Sequence, residues 1–399
     1  MLTVTDKTKC SGCGACANKC PKTCITMASD GEGFLYPAVD FVLCVKCGIC
    51  LKACPVLNNA PQNKVEKVYA AAAKDGDLLK KSSSGGMFSL LADYILDKGG
   101  IVFGAAFDEK WKVHHRFVDT KKDLDLIRRS KYVQSEIGNT FLQVKDFLNK
   151  GRYVLFAGTS CQIAGLKNYL SKNYENLYTA DLICHGVPSP RIWQIFLEQN
   201  TKNKDNIIGI NFRFSRGWKY FFLILFMESK KTLPNFNLFR QITLGLPDGK
   251  IKGLLYEKYL YLSFFSGFLR NLFLRPVCHA CPFRGQEKYA DFTMADFWGV
   301  QKIRPEMYDK NGVSLLMLNS QKAMGIFEEI KQNMKYEELG LEEAVKYNLM
   351  FYKSVKPHHK RGEFFKNFET EPLDKLVKRL TYKPFIIKAF NFIKRKICF

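Results

Sequence analysis

The sequence predicts a chain of α+β and α/β class built from three parts, and three observations lead to that prediction. Residues 1–60 are rich in cysteine, residues 65–345 alternate strand-like and helix-like runs, and residues 346–399 form a basic tail with helical spacing of apolar residues. With 399 residues, 47% of them hydrophobic, the chain is long enough for two or three domains with their own cores.

The cysteine-rich segment contains one spacing twice. Three cysteines, each two residues apart, are followed by a Cys-Pro pair, and the pattern recurs 34 positions later. Three such thiolates can converge on one cluster, while the cysteine before proline binds the other cluster in two-cluster ferredoxins. We therefore predict a bacterial-type dicluster ferredoxin domain. Its first [4Fe–4S] cluster is assigned to Cys10, Cys13, Cys16 and Cys54, and its second to Cys44, Cys47, Cys50 and Cys20.

Zinc knuckles and a disulfide framework are the alternatives to two clusters. Zinc sites rarely need a third closely spaced cysteine with a Cys-Pro pair, and disulfide scaffolds belong with export. The first residues lack the pattern of a signal peptide, and no apolar run approaches the ~18 residues of a membrane span. We expect a cytoplasmic chain in which the ninth cysteine of this segment, Cys24, is a packed free thiol.

Four further cysteines fall in the segment with α/β rhythm. Cys161 and Cys184 each lie between a predicted strand and a predicted helix, and Cys278 and Cys281 form a C-x2-C knuckle. Open α/β sheets bind ligands at the carboxyl ends of their strands, and a helix N-terminus favours the thiolate. The spacing allows zinc or a third [4Fe–4S] cluster, and the ferredoxin segment favours the cluster.

The charge of the chain bears on its partners. The formal net charge is +23 when every thiol is counted as neutral. Each oxidised cluster with four thiolates adds about −2, so three clusters would leave roughly +17. Such a basic chain suits an acidic electron carrier, such as a ferredoxin or flavodoxin, or an anionic membrane surface. We expect no nucleic-acid partner, because the sequence has no recognised nucleic-acid-binding motif.

Two further segments have alternative explanations. Residues 82–86 begin a predicted helix with serines and glycines, which suits a phosphate but equally an ordinary N-cap. The tail from Lys375 onward has no acidic residue, and its apolar residues recur at helical spacing. Such a helix can lie on an anionic membrane, pack on the protein or bind a partner, so we expect a peripheral membrane contact as one option.

Six motifs in one order carry a family resemblance. They are Ser84-Gly85-Gly86, Ser130-Lys131-Tyr132, Gly158-Thr-Ser-Cys-Gln162, Cys184-His185-Gly186, Cys278-His-Ala-Cys281 and Ala295-Asp-Phe-Trp298. Over about residues 1–345 the chain resembles the beta subunits of deazaflavin-dependent (coenzyme F-420) hydrogenases and dehydrogenases. The resemblance implies FAD beside a third cluster held by Cys161, Cys184, Cys278 and Cys281. It makes the following residues candidate FAD or substrate contacts: Ser84, Gly85, Gly86, Lys131, Tyr132, Thr159, Ser160 and Asp296.

These patterns lead to three functional hypotheses. The first is an iron–sulfur flavoprotein oxidoreductase that passes electrons through the third cluster and FAD to a small-molecule substrate, with His185 as the candidate catalytic histidine. The second is a non-catalytic electron-transfer subunit, and the third is a membrane-associated binding protein with structural clusters. Relatives with a fused ferredoxin domain often resemble accessory enzymes of surface-polysaccharide synthesis, which indicates a setting for the first hypothesis.

Overall fold

The computed structural model describes residues 3–59, 63–201, 207–213, 224–227 and 263–381. Its helices are α1 (Ala15–Lys19), α2 (Ile49–Ala53), α3 (Gly76–Lys80), α4 (Met87–Asp97), α5 (Thr140–Asn149), α6 (Ser160–Leu170), α7 (Pro190–Asn200), α8 (Ser263–Leu269), α9 (Val300–Ile303), α10 (Gln321–Ile330), α11 (Leu341–Val345), α12 (Arg361–Asn367) and α13 (Leu373–Thr381). Its strands are β1 (Ile25–Ser29), β2 (Leu35–Val39), β3 (Asn63–Lys64), β4 (Lys67–Ala73), β5 (Ile101–Phe107), β6 (Val113–Val118), β7 (Val154–Ala157), β8 (Leu177–Leu182), β9 (Ile207–Asn211), β10 (Ile224–Met227), β11 (Glu287–Lys288), β12 (Phe292–Asp296), β13 (Ser314–Leu318) and β14 (Met334–Glu338).

The N-terminal domain repeats one local structure, as the duplicated cysteine spacing predicts. Helices α1 and α2 each begin after a glycine in the left-handed conformation, Gly14 with φ 72° and Gly48 with φ 74°. Each helix ends at the cysteine that precedes proline, Cys20 or Cys54. Strands β1 and β2 pair antiparallel beside them. Glycine is required at both helix starts because a side chain would strain that backbone.

The larger domain is organised by one mixed sheet. The order of its described strands is β14-β4-β13-β12-β8-β7-β5-β6. Strands β5, β7, β8 and β12 run parallel, and every other neighbouring pair in the sheet is antiparallel, so that β4 runs in the same direction as the central four. Alternate residues enter different cores: Leu155 packs with α4 and α10, whereas Phe156 packs with α5 and α6. The parallel strands bring their carboxyl ends to a single edge, where sites are expected.

The N-terminal domain packs directly on helix α6. Cys13, Ala15 and Ala53 share a buried core with residues of α5 and α6. Gly165 of α6 is the closest point, because a Cβ atom there would lie 2.8 Å from Cys13 Sγ. Because Gly165 has no side chain, the predicted cluster ligand Cys13 can pack directly against α6, the helix that begins beside Cys161.

Packed structure continues beyond residue 345, where the sequence prediction ended the second domain. Helices α12 and α13 bury Phe364, Leu373 and Leu376 in the core that contains α7 and α8. Of the tail from Lys375 to Phe399, predicted to form a membrane-facing helix, residues 375–381 belong to α13, and residues 382–399 lie outside the described residues. In the part of the chain that is described, helices of the length and apolarity needed to cross a membrane are not found.

Candidate iron–sulfur and flavin sites

The first predicted cluster site is buried between the two domains. Cys13 is 7% exposed, and burial raises the pKa of its thiol well above the ordinary value. Burial also raises the pKa of Cys16 to about 12, and the nearby thiols of Cys10 and Cys54 add to that shift. The four cysteines assigned to this site are therefore close neighbours, as their spacing predicts.

The second predicted site lies at the far end of the N-terminal domain. Cys20, Cys44, Cys47 and Cys50 line one small cavity, and Cys47 is exposed. Cys24 lines the same cavity, with its Sγ 3.4 Å from Cys20 Sγ. The predicted free thiol thus contacts a predicted ligand from within the domain.

The remaining four cysteines meet at the carboxyl edge of the sheet and line one cavity, the third cavity. Cys161 lies in the first turn of α6, and Cys184 follows β8. Cys278 lies in a 3-10 turn, Pro276–Ala280, and Cys281 comes directly after it. Four cysteines from segments far apart in the sequence therefore line the same cavity.

Three cationic side chains line this third cavity, namely Arg275, Arg284 and Lys288. Arg275 is 0% exposed and Lys288 is 4% exposed. Among the described residues that line the cavity, none carries a carboxylate. Behind the lining, the buried Asp181 interacts with Lys288, so the two arginines carry the remaining positive charge, which suits an occupant with net negative charge.

Three of the thiols that line the third cavity, those of Cys161, Cys184 and Cys278, are neutral at neutral pH. Burial raises the pKa of Cys161, Cys184 and Cys278 to about 12. A metal occupant must displace these protons, because only thiolates act as ligands. Among the described residues, no group of three or more His, Cys, Asp or Glu side chains is arranged to hold a single metal ion.

The predicted flavin contacts also come together at the carboxyl edge. The loop of Ser84 and Gly85 packs against the start of β13: Ser84 Oγ donates to Val313 O at 3.1 Å, and the Gly85 N–H donates to Ser314 Oγ at 2.9 Å. Ser314 pairs with Asp296 across β13 and β12. The Ser84 and Gly85 groups thus serve the fold, and they bring Gly86 and the start of α4 beside Asp296.

Asp296 forms a buried ion pair that the sequence analysis missed. Arg213 Nη1 donates to both carboxylate oxygens of Asp296, at 2.6 and 2.7 Å, and both side chains are about nine-tenths buried. Tyr132 forms a hydrogen bond with Arg213, and burial raises the pKa of its phenol to about 12. Two predicted contacts, Tyr132 and Asp296, are therefore joined through one guanidinium.

Lys131, Thr159 and Ser160 also have partners within the protein. Lys131 Nζ donates to Arg128 O at 2.5 Å, and burial lowers its pKa to about 7. Thr159 forms a capping box with Gln162 at the start of α6. Ser160 Oγ donates to Asp181 Oδ2 at 2.6 Å. The last two side chains shape the turn that carries Cys161.

His185, the candidate catalytic histidine, lies behind the third cavity. Its neighbours Cys184 and Gly186 belong to the described lining of the cavity, whereas His185 itself does not. Its Nε2 is 2.7 Å from Asn271 Oδ1, and burial lowers the pKa of the imidazole. When the Nε2–H donates to this amide oxygen, the hydrogen bond orients the imidazole ring. Arg284 Nη2 donates to the carbonyl oxygen of His185.

Comparison with known proteins identifies the parts of the chain. Residues 9–58 match the 4Fe-4S dicluster domain. Residues 68–140 and 151–344 match the N-terminal and C-terminal parts of the coenzyme F420 hydrogenase/dehydrogenase beta subunit. These last two matches cover about two thirds of the chain.

Individual relatives are distant. One subunit of the F(420)H(2) dehydrogenase of Methanosarcina mazei is 22% identical over 229 residues, 53% of this chain and 64% of the relative. Coenzyme F420-dependent sulfite reductase of Methanocaldococcus jannaschii is 28% identical over 195 residues, 46% of this chain and 29% of the relative. The chain thus spans less than two thirds of each. A chain of the F420-reducing [NiFe] hydrogenase complex of Methanosarcina barkeri aligns with a TM-score of 0.44 and 16% identity, covering 79% of this chain and 92% of that one.

The duplicated cysteine sites and the matched domains define the class: this is an electron-transfer protein of oxidoreductase type that carries [4Fe–4S] clusters in a dicluster ferredoxin domain. The sequence prediction of that domain is confirmed. The chain belongs to the family of coenzyme F420 hydrogenase/dehydrogenase beta subunits.

Proposed function

We propose that the chain is an iron–sulfur flavoprotein oxidoreductase with a third [4Fe–4S] cluster between its ferredoxin domain and FAD. The third cavity carries the proposal: four cysteines surround it, and Arg275 in its lining also contacts Cys10 of the first site. Electrons from the ferredoxin domain therefore have a short protein path to the edge of the sheet. Two one-electron deliveries from a reduced carrier balance each two-electron reduction of a substrate.

A cluster suits the third cavity better than zinc. Structural zinc draws four thiolates to a single tetrahedral point at about 2.3 Å. Here the neighbouring ferredoxin domain favours the cluster, because a third redox centre would carry electrons onward, whereas zinc has no redox chemistry. The cationic lining suits either group, because Zn²⁺ and an oxidised cluster core each leave a net charge of about −2 with four thiolates.

The start of α4 and its neighbours fit the anionic half of FAD. Of the described residues, none caps α4 through its side chain, so the amides after Gly86 keep their donors for a phosphate. Ser130 N–H donates to Ser83 Oγ at 3.0 Å, which brings the segment that contains the Arg129 guanidinium alongside. FAD, when bound, would supply the exchange between one-electron and two-electron chemistry.

The resemblance to surface-polysaccharide enzymes makes a precursor of such a polymer the substrate class to test.

Iron, acid-labile sulfide and released flavin, measured after anaerobic purification, test this proposal. We expect about twelve irons and one FAD per chain. Cys281→Ala is expected to lower the iron to about eight while the ferredoxin-domain signals persist. Cys24→Ala is the matched control and is expected to retain about twelve, because Cys24 is assigned to no cluster. About eight irons and no flavin in the unaltered chain, even after reconstitution with FAD, would contradict the proposal.

The surface beside the second site suits an acidic electron carrier. The loop after β2 exposes apolar side chains: Phe41 by 57%, Val42 by 94% and Val45 by 58%. Lys22 and Lys46 are exposed and border the second site together with Val45, and Asp40 is occupied in capping the turn at Val42. Exposed apolar residues ringed by cations are typical of transient partner sites. We propose that a ferredoxin or flavodoxin docks here.

Lys46→Glu is expected to slow electron delivery from a purified acidic ferredoxin about tenfold at low salt, because steering charges act mainly on the association rate. Stopped-flow reduction at several ionic strengths measures this rate, and the difference should shrink as salt rises. Lys335→Glu, on the exposed edge strand β14, is the control and should leave the rate near that of the unaltered chain. Equal slowing by both variants would argue against a local docking site.

One observation favours the alternative, a non-catalytic electron-transfer subunit. The Gly85 N–H and the Ser84 hydroxyl are hydrogen-bonded to β13 and its preceding residue, so two predicted flavin contacts are already engaged. Under this alternative the partner enzyme holds the substrate site, and the chain would contain clusters but no flavin. Flavin analysis separates the two functions. A peripheral membrane contact beyond Thr381 stays a prediction.

A further inference from the structure

Arg275 is a buried cation whose partners carry no formal charge. The side chain is 0% exposed, and its described hydrogen-bond partners include no carboxylate. Its Nε donates to Cys10 O at 2.9 Å, its Nη1 to Gln134 Oε1 at 2.9 Å and its Nη2 to Leu35 O at 2.9 Å. A buried guanidinium without a counter-charge is unfavourable, so a negative group is expected nearby.

The side chain of Arg275 reaches the first cluster site. Its Nη2 is 3.7 Å from Cys10 Sγ, and its guanidinium carbon lies 4.2 Å from the ring centre of Tyr36. Gly12 lies against it, since a Cβ there would be 2.8 Å from the guanidinium carbon. The fold thus holds this cation against the loop of Cys10 and Cys13.

The same residue borders the third cavity. Its backbone N–H donates to Val187 O, its carbonyl accepts from the Cys278 N–H, and the residue lines the cavity with Cys161 and Cys278. One guanidinium therefore lies between two sets of four cysteines. Each set, when it holds a cluster, carries about two negative charges, and reduction adds another.

We propose that Arg275 is the shared counter-charge of the first and third cluster sites and raises the reduction potential of both above the value each would have without it. The inference rests on the third cluster of the proposed function. A fixed cation in a buried site stabilises the added electron, whereas the cations that line the second site, Lys22 and Lys46, are exposed and therefore screened by solvent. An electron that enters from the carrier at the second site is therefore expected to move to the first or the third cluster.

Redox titration of the full chain, followed by electron paramagnetic resonance, tests the proposal. Arg275→Gln and Arg275→Met should shift the first and third clusters to more negative potentials and leave the second unchanged. Arg275→Lys keeps the charge and should lie close to the unaltered chain. Arg284→Met is the control, because Arg284 lines only the third cavity and should move the third potential alone. Cys47→Ala and Cys281→Ala assign the second and third signals.

Each outcome of these measurements either supports or contradicts the role of Arg275 as a shared counter-charge. Intact clusters with unchanged potentials in Arg275→Met, or a shift at one site only, would overturn the proposal. If the neutral variants lose iron instead, loss from the first and third sites with retention by Arg275→Lys supports it. Equal loss in all three variants would make Arg275 a structural residue and contradict the shared charge. Eight irons in the unaltered chain would refute the third cluster itself, while an effect of Arg275 on the first cluster stayed measurable.

Discussion

Gly165→Val is expected to displace the ferredoxin domain from α6 and to cause loss of the cluster from the first site, because the new side chain clashes with the ligand Cys13. The new Cβ atom would lie 2.8 Å from Cys13 Sγ and 3.0 Å from Cys13 Cβ. Overpacking of this kind costs about 1–3 kcal/mol, which exceeds the ~1 kcal/mol that replacing a helical glycine can return. We expect a lower melting temperature and iron reduced from about twelve to about eight per chain.

Gly325→Ala is the matched control for this substitution. Gly325 also lies inside a helix, α10, but a Cβ atom there would meet nothing within 4 Å. Alanine at that position should raise the free energy of unfolding by about 0.5–1 kcal/mol and leave iron unchanged. If Gly165→Val kept its iron and its melting temperature, the close packing of Cys13 against Gly165 would be contradicted.

Asp296→Ala is expected to destabilise the chain strongly and to abolish flavin binding. It leaves the Arg213 guanidinium buried without its carboxylate, and loss of one partner of a buried pair costs about 3–5 kcal/mol. Denaturant unfolding and flavin content after reconstitution measure the two effects. The variant that removes both partners, Asp296→Ala with Arg213→Ala, should be less destabilised than the sum of the single variants, because the uncompensated charge is gone.

An exposed pair provides the comparison for Asp296. Lys150 and Asp146 form an ion pair one helical turn apart at the end of α5, with more than half of each side chain exposed. Asp146→Ala should therefore cost no more than about 0.5 kcal/mol. A similar small loss in Asp296→Ala would show that the Arg213 pair is solvated and that Asp296 does not organise the flavin site.

Local patterns explain which features could be predicted from the sequence. The ligands of a dicluster ferredoxin lie within a few residues of one another, so their spacing identifies the domain. The ends of β7 and β8 likewise predict that Cys161 and Cys184 meet at one edge of the sheet. Both predictions depend on neighbours in sequence or on the general geometry of parallel strands.

The missed residues depend on long-range packing. Arg213 reaches Asp296 across 83 positions, and Arg275 reaches Cys10 across 265. Neither contact follows from periodicity, because each requires the relative placement of separate elements. The adjacency of Arg275 to the Cys278 knuckle was the available signal. Ser160 is similar: its hydroxyl engages Asp181 beneath the sheet edge, which explains a serine at the start of α6.

The unequal surroundings of the two duplicated cysteine sets bear on how the protein matures. One set is closed between α1 and α6, with Cys13 buried, whereas the other opens to solvent at Cys47. An assembly factor that donates preformed clusters can reach the outer set after folding, but must reach the inner set before the domains close. We therefore expect the inner set to be filled before the outer set, and we expect oxidants to damage the outer cluster, at the exposed Cys47, before the inner one.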